Sequence, residues 1–352
     1  MRALGLLLIS CLAAAGAECT RLKRDERIVF YPTLAHRSAD GLDWRFTVRG
    51  CVFEPEQHGL LTAAFRQALE LKDVEMTEAE EQIFNERARL FLADHERGKE
   101  IWIKVGSHLL AVGKSRKDGT FSGEVRFASG DVETATRVSF AAALPPHEGR
   151  TFAGETLLLE DAGVSVISDI DDTIKITEVR DRNATLRNTF LREFQPVAGM
   201  MEFYQRLARE RGAQFHYVSA SPWQLYEPLA ALVKDHGFPP GTFALKEFRW
   251  KSRKFLSLFA NPEKYKPGVI EPLLKQFPRR QFILIGDSGE RDPEIYGALA
   301  RKFPQQIEHI YIREVVKESD EPQRYQKAFR ELPAGRWTVF RDPAGFKANA
   351  PP

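Results

Sequence analysis

The chain has 352 residues, of which 43% are hydrophobic and 28% are charged. This composition is typical of a soluble globular protein, and the length favours two domains over one. The formal net charge is only +2, so the overall charge does not indicate a nucleic-acid-binding protein, and we expect no nucleic acid among its partners.

The N-terminus differs from the rest of the chain. An apolar run covers Ala3–Ala15, and small residues at Ala15-Gly16-Ala17 follow it. This pattern is typical of a cleaved secretory signal peptide, so we expect residues 1–17 to be removed and the protein to be exported to the periplasm. In the alternative, Leu8–Cys11 is a lipid-attachment site, and Cys11 anchors a lipoprotein. No later run reaches the ~18 apolar residues of a transmembrane helix.

Cleavage after Ala17 leaves two cysteines, Cys19 and Cys51. In an oxidising compartment they could form a disulfide that ties the N-terminal arm to the domain. The alternative is two unrelated free thiols. Two cysteines without paired histidines do not predict a zinc site.

Residues 18–160 are predicted to form a β-rich domain. Apolar and polar residues alternate in short runs such as Asp43–Arg49 and Ile101–Val105, which predicts antiparallel strands with one solvated face. Helical spacing interrupts them at Gly59–Leu71 and at Thr77–Ala93, and the latter opens with a Thr-x-x-Glu capping box. We therefore expect a β-sandwich with a helical insertion.

Residues 161–345 show a different pattern, in which apolar runs alternate with amphipathic helices. The predicted strands are Val164–Ser168, Gln214–Val218, Phe243–Leu245, Gln281–Gly286 and Glu308–Ile312. The predicted helices are Pro196–Arg211, Trp223–Lys234, Val269–Gln276 and Pro293–Phe303. Strands that alternate with helices predict an α/β domain with a parallel sheet covered on both faces.

Two acidic clusters follow predicted strands of this domain. Asp169 and Asp171 come directly after Val164–Ser168, and side chains two residues apart point the same way at a strand end. Asp287 and Asp292 follow the strand at Gln281–Gly286. Because packed carboxylates need a neutralising cation, and hard divalent ions prefer oxygen ligands, the clusters predict a magnesium site.

Two further groups are predicted to lie near these carboxylates. Ser219 ends the strand that begins at Gln214, although it could instead cap the following helix. Lys266 precedes a predicted helix, and Lys264 is an alternative for the same role. Asp172 is interpreted as a turn or supporting residue, and His216 as a packing histidine within its strand.

Together these residues resemble the four motifs of the haloacid dehalogenase-like phosphatase superfamily, in the expected order. The matches are D-x-D-x-T at Asp169, Asp171 and Thr173, then Ser219, then Lys266, then G-D-x-x-x-x-D at Gly286, Asp287 and Asp292. The resemblance implies a Rossmann-like phosphatase domain, with a nucleophile that forms an aspartyl-phosphate and a general acid that later activates water.

The resemblance also implies a role for each matched residue. Asp169 is the nucleophile and Asp171 the acid and base. Mg²⁺ binds Asp169, Asp287 and the backbone carbonyl of Asp171. The other roles are phosphate binding by Thr173, Ser219 and Lys266, and orientation of the metal ligands or of Lys266 by Asp292.

Longer segments resemble a narrower family, the phosphatidate phosphatase catalytic domains of the actin-patch-protein type, which are related to the lipins. They are Ser168–Val179, Tyr217–Tyr226, Phe282–Tyr296 and Ile310–Val315. The family implies hydrolysis of phosphatidate to diacylglycerol and phosphate. The alternatives are a phosphatase of soluble phosphate esters or phosphoproteins, and an inactive lipid- or envelope-binding module, although the acidic motif residues are all present.

Two features bear on how a lipid would reach the site. Only about forty residues separate Thr173 from Gln214, which leaves room for a small cap or none. Basic and aromatic residues are interleaved in Lys246–Lys266, and such a surface could contact anionic membrane lipids. The alternative for Lys246–Lys266 is an ordinary solvated face with core aromatics.

Overall fold

The computed structural model describes residues 18–38, 40–55, 59–128, 136–247, 262–315 and 321–343. The predicted signal peptide, the lipid-attachment cysteine and most of the basic-aromatic segment lie outside these ranges. Within them, no helix has the length and apolarity needed to cross a bilayer. Cys19 and Cys51 are both free thiols.

Within its described residues, the N-terminal half contains nine strands and two helices. The strands are β1 (Arg27–Tyr31), β2 (Thr33–Arg37), β3 (Asp43–Glu54), β4 (Asp94–His95), β5 (Glu100–Val105), β6 (His108–Lys114), β7 (Thr120–Ala128), β8 (Arg137–Ala142) and β9 (Ala153–Leu158). The helices are α1 (Gly59–Ala68) and α2 (Glu78–Leu92). The predicted alternating runs and both predicted helical segments are confirmed.

The expectation that these strands are all antiparallel needs correction. All nine strands belong to one hydrogen-bonded sheet, in the order β1-β3-β2-β9-β8-β5-β6, with β4 and β7 also paired to β3. The physical reason is the length of β3, which pairs with β7 along one edge and with both β2 and β1 along the other. In addition, β2 and β9 run parallel, so the sheet is mixed.

The C-terminal half is built on a six-stranded sheet. Its strands are β10 (Gly163–Ser168), β11 (Gln214–Pro222), β12 (Gly241–Lys246), β13 (Arg280–Asp287), β14 (Ile307–Arg313) and β15 (Trp337–Phe340). Its helices are α3 (Arg182–Phe190), α4 (Met200–Arg211), a 3₁₀ turn (Trp223–Leu225), α5 (Tyr226–Asp235), α6 (Pro262–Gln276), α7 (Asp292–Lys302) and α8 (Glu321–Ala328).

Every neighbouring pair in this second sheet is parallel, in the order β12-β11-β10-β13-β14-β15. The predicted α/β domain with a parallel sheet is therefore confirmed. Strands β10 and β13 lie side by side at the centre, and side chains such as Val166 and Leu284 are fully buried. Between β10 and β11 the chain forms only two α-helices, α3 and α4.

Helices α1 and α2 pack against the C-terminal half, although they interrupt the N-terminal strands. The ring centroids of Phe65 and Phe91 lie 5.7 and 5.5 Å from that of Phe190 of α3, and 5.4 Å from each other. Arg87 donates a hydrogen bond to the carbonyl oxygen of Thr189 at 2.5 Å. The helical insertion thus shares one apolar core with the parallel sheet.

The start of α2 is stabilised by the capping box that the sequence predicts. The Thr77 hydroxyl accepts a hydrogen bond from the Glu80 backbone N–H at 3.3 Å, and the Glu80 carboxylate accepts one from the Thr77 N–H at 3.0 Å. This reciprocal pair satisfies two donors that a helix start otherwise leaves open. The predicted capping box is confirmed.

Candidate active site

The predicted acidic residues meet at the carboxyl ends of two neighbouring strands. Ser168 of β10 is paired with Ile285 of β13, and the Asp169 N–H donates to the Ile285 carbonyl at 2.8 Å. This register brings Asp169 and Asp287 to the same edge of the sheet. Asp292, at the start of α7, completes the cluster, and ligand oxygens of the three carboxylates lie within 4.8 Å of one another.

A buried lysine from α6 lies among these carboxylates. Lys266 Nζ is 2.8 Å from Asp169 Oδ1 and 3.1 Å from Glu290 Oε2, and it also donates to Asp292 Oδ1. The side chain of Lys266 is 0% exposed, whereas Lys264 is at the surface. Of the two predicted candidates, Lys266 is therefore the one that the fold brings to the cluster.

The cluster contains more carboxyl groups than ammonium groups. Lys266 contacts Asp169, Glu290 and Asp292, and Asp287 lies beside Asp169 and Asp292. Burial raises the pKa of Asp169 and Asp287 well above the usual range, and the neighbouring carboxylates add to this, while Lys266 opposes it. Burial alone would lower the pKa of Lys266, but the carboxylates raise it well above its usual value.

Asp287 has one oxygen that the protein leaves open. Its Oδ1 accepts hydrogen bonds from the N–H groups of Gly289 and Glu290, at 2.5 and 3.3 Å. Its Oδ2 is buried and, within the described part of the chain, has no hydrogen-bond partner. Because buried polar atoms are normally satisfied, an open oxygen in a negatively charged cluster fits a hard divalent cation such as Mg²⁺.

Gly286 and Asp292 explain the close approach at this turn. A Cβ atom at position 286 would overlap the Asp292 carboxylate, so only glycine leaves room for it. Asp292 Oδ2 accepts a hydrogen bond from the Asp287 N–H at 3.3 Å, while its Oδ1 contacts Lys266. Asp292 thus connects the Asp287 turn to the lysine, in keeping with its predicted orienting role.

Asp171 lies in a different environment from Asp169. Its Oδ1 accepts hydrogen bonds from Lys175 Nζ at 2.9 Å and Thr177 Oγ1 at 2.8 Å. Its Oδ2 accepts from the hydroxyls of Ser219 and Ser221, each at 2.8 Å. Burial by itself would raise the pKa of Asp171, but Lys175 and these hydroxyls hold it below the usual range, so the side chain is an anion here.

Four residues of this arrangement were not among the predicted site residues. They are Lys175, Thr177, Ser221 and Glu290. Lys175 is 1% exposed and lies 4.7 Å from the centre of the Phe194 ring as well as beside Asp171. The available signal was its position between two isoleucines just after the D-x-D-x-T motif, since a lysine within an apolar segment requires an anionic partner when it is buried.

Thr173 and Asp172 shape the loop after β10. The Thr173 hydroxyl donates to Asp169 Oδ2 at 3.0 Å, so in this structure it orients the predicted nucleophile, and its phosphate contact stays a prediction. Asp172 has a left-handed backbone, with φ of 54°, and its carboxylate accepts hydrogen bonds from three consecutive N–H groups, those of residues 177–179. The interpretation of Asp172 as a turn residue is confirmed.

Two residues of β11 settle alternatives from the sequence. The suggestion that Ser219 caps the next helix is wrong, because Ser219 lies within the strand and the 3₁₀ turn begins only after Pro222, without a side-chain cap. His216 is buried and hydrogen-bonded to Thr242 and Ser165. Burial lowers the pKa of His216 to about 3, so it is neutral, and its interpretation as a packing histidine is confirmed.

Comparison with known proteins bears on the segment that carries this site. Residues 164–314 match the family described as phosphatidate phosphatase APP1, catalytic domain. Phosphatidate phosphatase APP1 of Saccharomyces cerevisiae is 40% identical over 154 residues, which cover 43% of this chain and 26% of the yeast protein. The uncharacterized protein C29B5.04c of Schizosaccharomyces pombe is 30% identical over 173 residues, which cover 48% of this chain and 28% of that protein.

These matches confirm the narrower family resemblance for the segment, and the chain spans about a quarter of the length of these curated relatives. Among solved structures, a chain of the Pnkp1/Rnl/Hen1 complex is 11% identical and covers 46% of this chain and 53% of its own length, with a TM-score of 0.30. A likeness at that TM-score supports no statement about fold or function.

Proposed function

We propose that this chain, whose residues 164–314 form a phosphatidate phosphatase-like hydrolase domain, hydrolyses phosphatidate to diacylglycerol and phosphate. The reaction passes through an aspartyl-phosphate on Asp169 and requires Mg²⁺. The observation that carries the proposal is the Asp169 carboxylate, buried at the carboxyl end of a parallel sheet between Lys266 and the open oxygen of Asp287.

Both carboxylate oxygens of Asp169, the proposed nucleophile, are held in place by neighbouring side chains. Lys266 contacts its Oδ1 and Thr173 donates to its Oδ2, so both oxygens have fixed directions. A fixed carboxylate can attack phosphorus without first losing rotational freedom. The bond from Asp169 oxygen to phosphorus forms as the bond from phosphorus to the glycerol oxygen breaks, and Lys266 can turn toward the phosphoryl oxygens, where charge develops.

The residues that would hold Mg²⁺ are Asp169, Asp287 and the backbone carbonyl of Asp171. The excess of carboxyl groups over ammonium groups in the cluster and the open Asp287 oxygen support this set. Asp292 offers a further oxygen within the same group of atoms, although it is already engaged with Lys266. When bound, the ion would offset the repulsion between an anionic carboxylate and an anionic phosphate.

Asp171 is the group that can move a proton at the ester oxygen. It lies two residues from Asp169, and its four hydrogen bonds keep it ionised before substrate arrives. A substrate phosphate adjacent to Asp171 raises the pKa of this carboxyl by repulsion, which favours proton uptake. The protonated form then protonates the leaving alkoxide, and the ionised form later takes a proton from the water that hydrolyses the aspartyl-phosphate.

The test is phosphate release from phosphatidate in vesicles, with and without Mg²⁺, for the parent protein and two variants. Asp169→Asn should abolish release, since a neutral amide is a poor nucleophile. Asp235→Asn changes an exposed aspartate of the same domain and should leave release unchanged. Near-normal turnover by Asp169→Asn, or full turnover in a chelating buffer, would contradict the mechanism.

The second candidate is a phosphatase of soluble phosphate esters, which would use the same residues. Parallel assays on glycerol phosphate and on a phosphopeptide separate the two, because the lipid enzyme should prefer the vesicle substrate at equal phosphate concentration. We further propose export of the mature protein and peripheral contact with an anionic membrane surface. Both rest on the sequence patterns described above.

A further inference from the structure

A large cavity lies between the two halves of the chain. Its volume is about 550 Å³, within the range of typical ligand sites. Its walls come from the N-terminal sheet, from the α1–α2 pair and from the segment that follows β11. Six aromatic side chains contribute to the lining, namely Tyr31, Phe53, Phe91, Phe121, Trp223 and Tyr226.

One wall of the cavity follows directly in the chain from the strand end that holds Asp171. Trp223 and Gln224 line it, and they follow Ser221, whose hydroxyl holds Asp171 at 2.8 Å. Two residues of extended chain span at most about 7 Å, so this wall is close to the catalytic carboxylates. The Trp223 ring stacks on Tyr31 of β1, with centroids 4.0 Å apart, which fixes the wall to the N-terminal sheet.

Charge at the cavity does not favour an anion. The cations Arg49, Arg116 and Lys117 are matched at the lining by four acidic side chains. The phosphate of a substrate is therefore not expected here, whereas an uncharged apolar chain would be. Apolar residues such as Val29, Leu90 and Ala93 lie beside the aromatic rings, and this part of the lining suits an apolar occupant.

We infer that this cavity binds an acyl chain of the lipid substrate while its phosphate lies at Asp169, an inference that rests on the proposed function. The N-terminal sheet and the α1–α2 pair then form the part of the enzyme that binds the acyl chain. Leu61, at the start of α1, lines the cavity and is 41% exposed, which places an apolar residue at its entrance. Each methylene buried there should improve kcat/KM roughly fourfold.

The first experiment measures kcat/KM for monomeric alkyl phosphates from ethyl to decyl phosphate, so that no membrane is involved. A steep rise with chain length is expected. Leu61→Asp places a charge at the entrance. It should lower kcat/KM for decyl phosphate at least tenfold, so that kcat/KM rises less steeply with chain length. Leu42→Asp is the matched control, because Leu42 is 69% exposed and is not a lining residue of the cavity, and it should retain the full rise.

Hydrolysis of all chain lengths at one rate would overturn the inference while leaving the proposed function intact. If no ester is hydrolysed, the proposed function fails, and a binding experiment still tests the cavity. A decylphosphonate brominated at the chain end should quench tryptophan fluorescence in the parent, and Trp223→Phe should lose that quenching. Equal quenching in the parent and in Trp223→Phe would overturn the inference.

Discussion

Replacing Lys266 by methionine tests the charge balance of the site directly. The substitution keeps an unbranched side chain but removes the ammonium that contacts Asp169, Glu290 and Asp292. Breaking a buried ion pair by removing one partner costs about 3–5 kcal/mol, because the remaining charge is left without compensation. At roughly 2–4 °C per kcal/mol for a domain of this size, Tm should fall by about 6–20 °C.

The measurement is thermal unfolding followed by circular dichroism in a chelating buffer, then repeated with added Mg²⁺. Lys264→Met is the matched control, since it removes the same group from an exposed position two residues away. Its stability should stay within about 0.5 kcal/mol of the parent. Mg²⁺ should narrow the Tm difference between the Lys266 variant and the parent, because the variant lacks the ammonium that competes for the carboxylates and should bind the cation more tightly, and tighter binding stabilises the folded state more.

The same pair of variants distinguishes the two lysines in catalysis. Phosphate release should be lost in Lys266→Met and kept in Lys264→Met. Equal Tm values for both variants would refute the charge argument. Loss of activity in Lys264→Met alone would show that the exposed lysine binds the phosphoryl group.

Three further predictions concern the metal, the proton transfer and the pH dependence of stability. Asp287→Asn should lower Mg²⁺ affinity by at least tenfold in a calorimetric titration; unchanged affinity would remove Asp287 from the ligand set. With an ester whose leaving group needs no proton, the Asp171→Asn variant should accumulate the aspartyl-phosphate on Asp169. Mass analysis after acid quench detects this phosphate, and an unphosphorylated Asp169 would contradict the acid–base role of Asp171. The pKa of His216 is about 3 when folded and about 6.5 when unfolded, so the unfolded chain binds the extra proton and stability falls as pH falls through 6.5. Between pH 7 and 5 the parent should lose about 2 kcal/mol more unfolding free energy than His216→Gln in urea titrations, and parallel curves would show that His216 is protonated in the folded state.

The local sequence predicted many of the secondary-structure elements and the catalytic motifs, although α3, α8 and β15 were not among the predicted elements. Alternation in Asp43–Arg49 predicted part of β3, and the capping box at Thr77 fixed the start of α2. The positions of Asp169 and Asp287 followed from apolar runs that end in carboxylates, because parallel strands end at one edge of a sheet. These features could be predicted from the sequence because each depends on residues that are close together in the chain.

Only the tertiary structure decided which partners surround each catalytic group. Ser221 is 50 residues from Asp171 and yet donates to it, and no local pattern measures that distance. The division between Lys264 and Lys266 likewise depended on which face of α6 the sheet buries.

The packing of the two halves against each other also could not be predicted from the sequence patterns. The sequence predicts α1 and α2 as part of the N-terminal domain, but in the structure they pack on α3. The cavity with aromatic lining residues forms where the two halves meet. Periodicity shows that a helix has an apolar face without showing which surface covers it. That choice depends on the combined shape and burial of residues more than a hundred positions apart, which only the folded chain brings together.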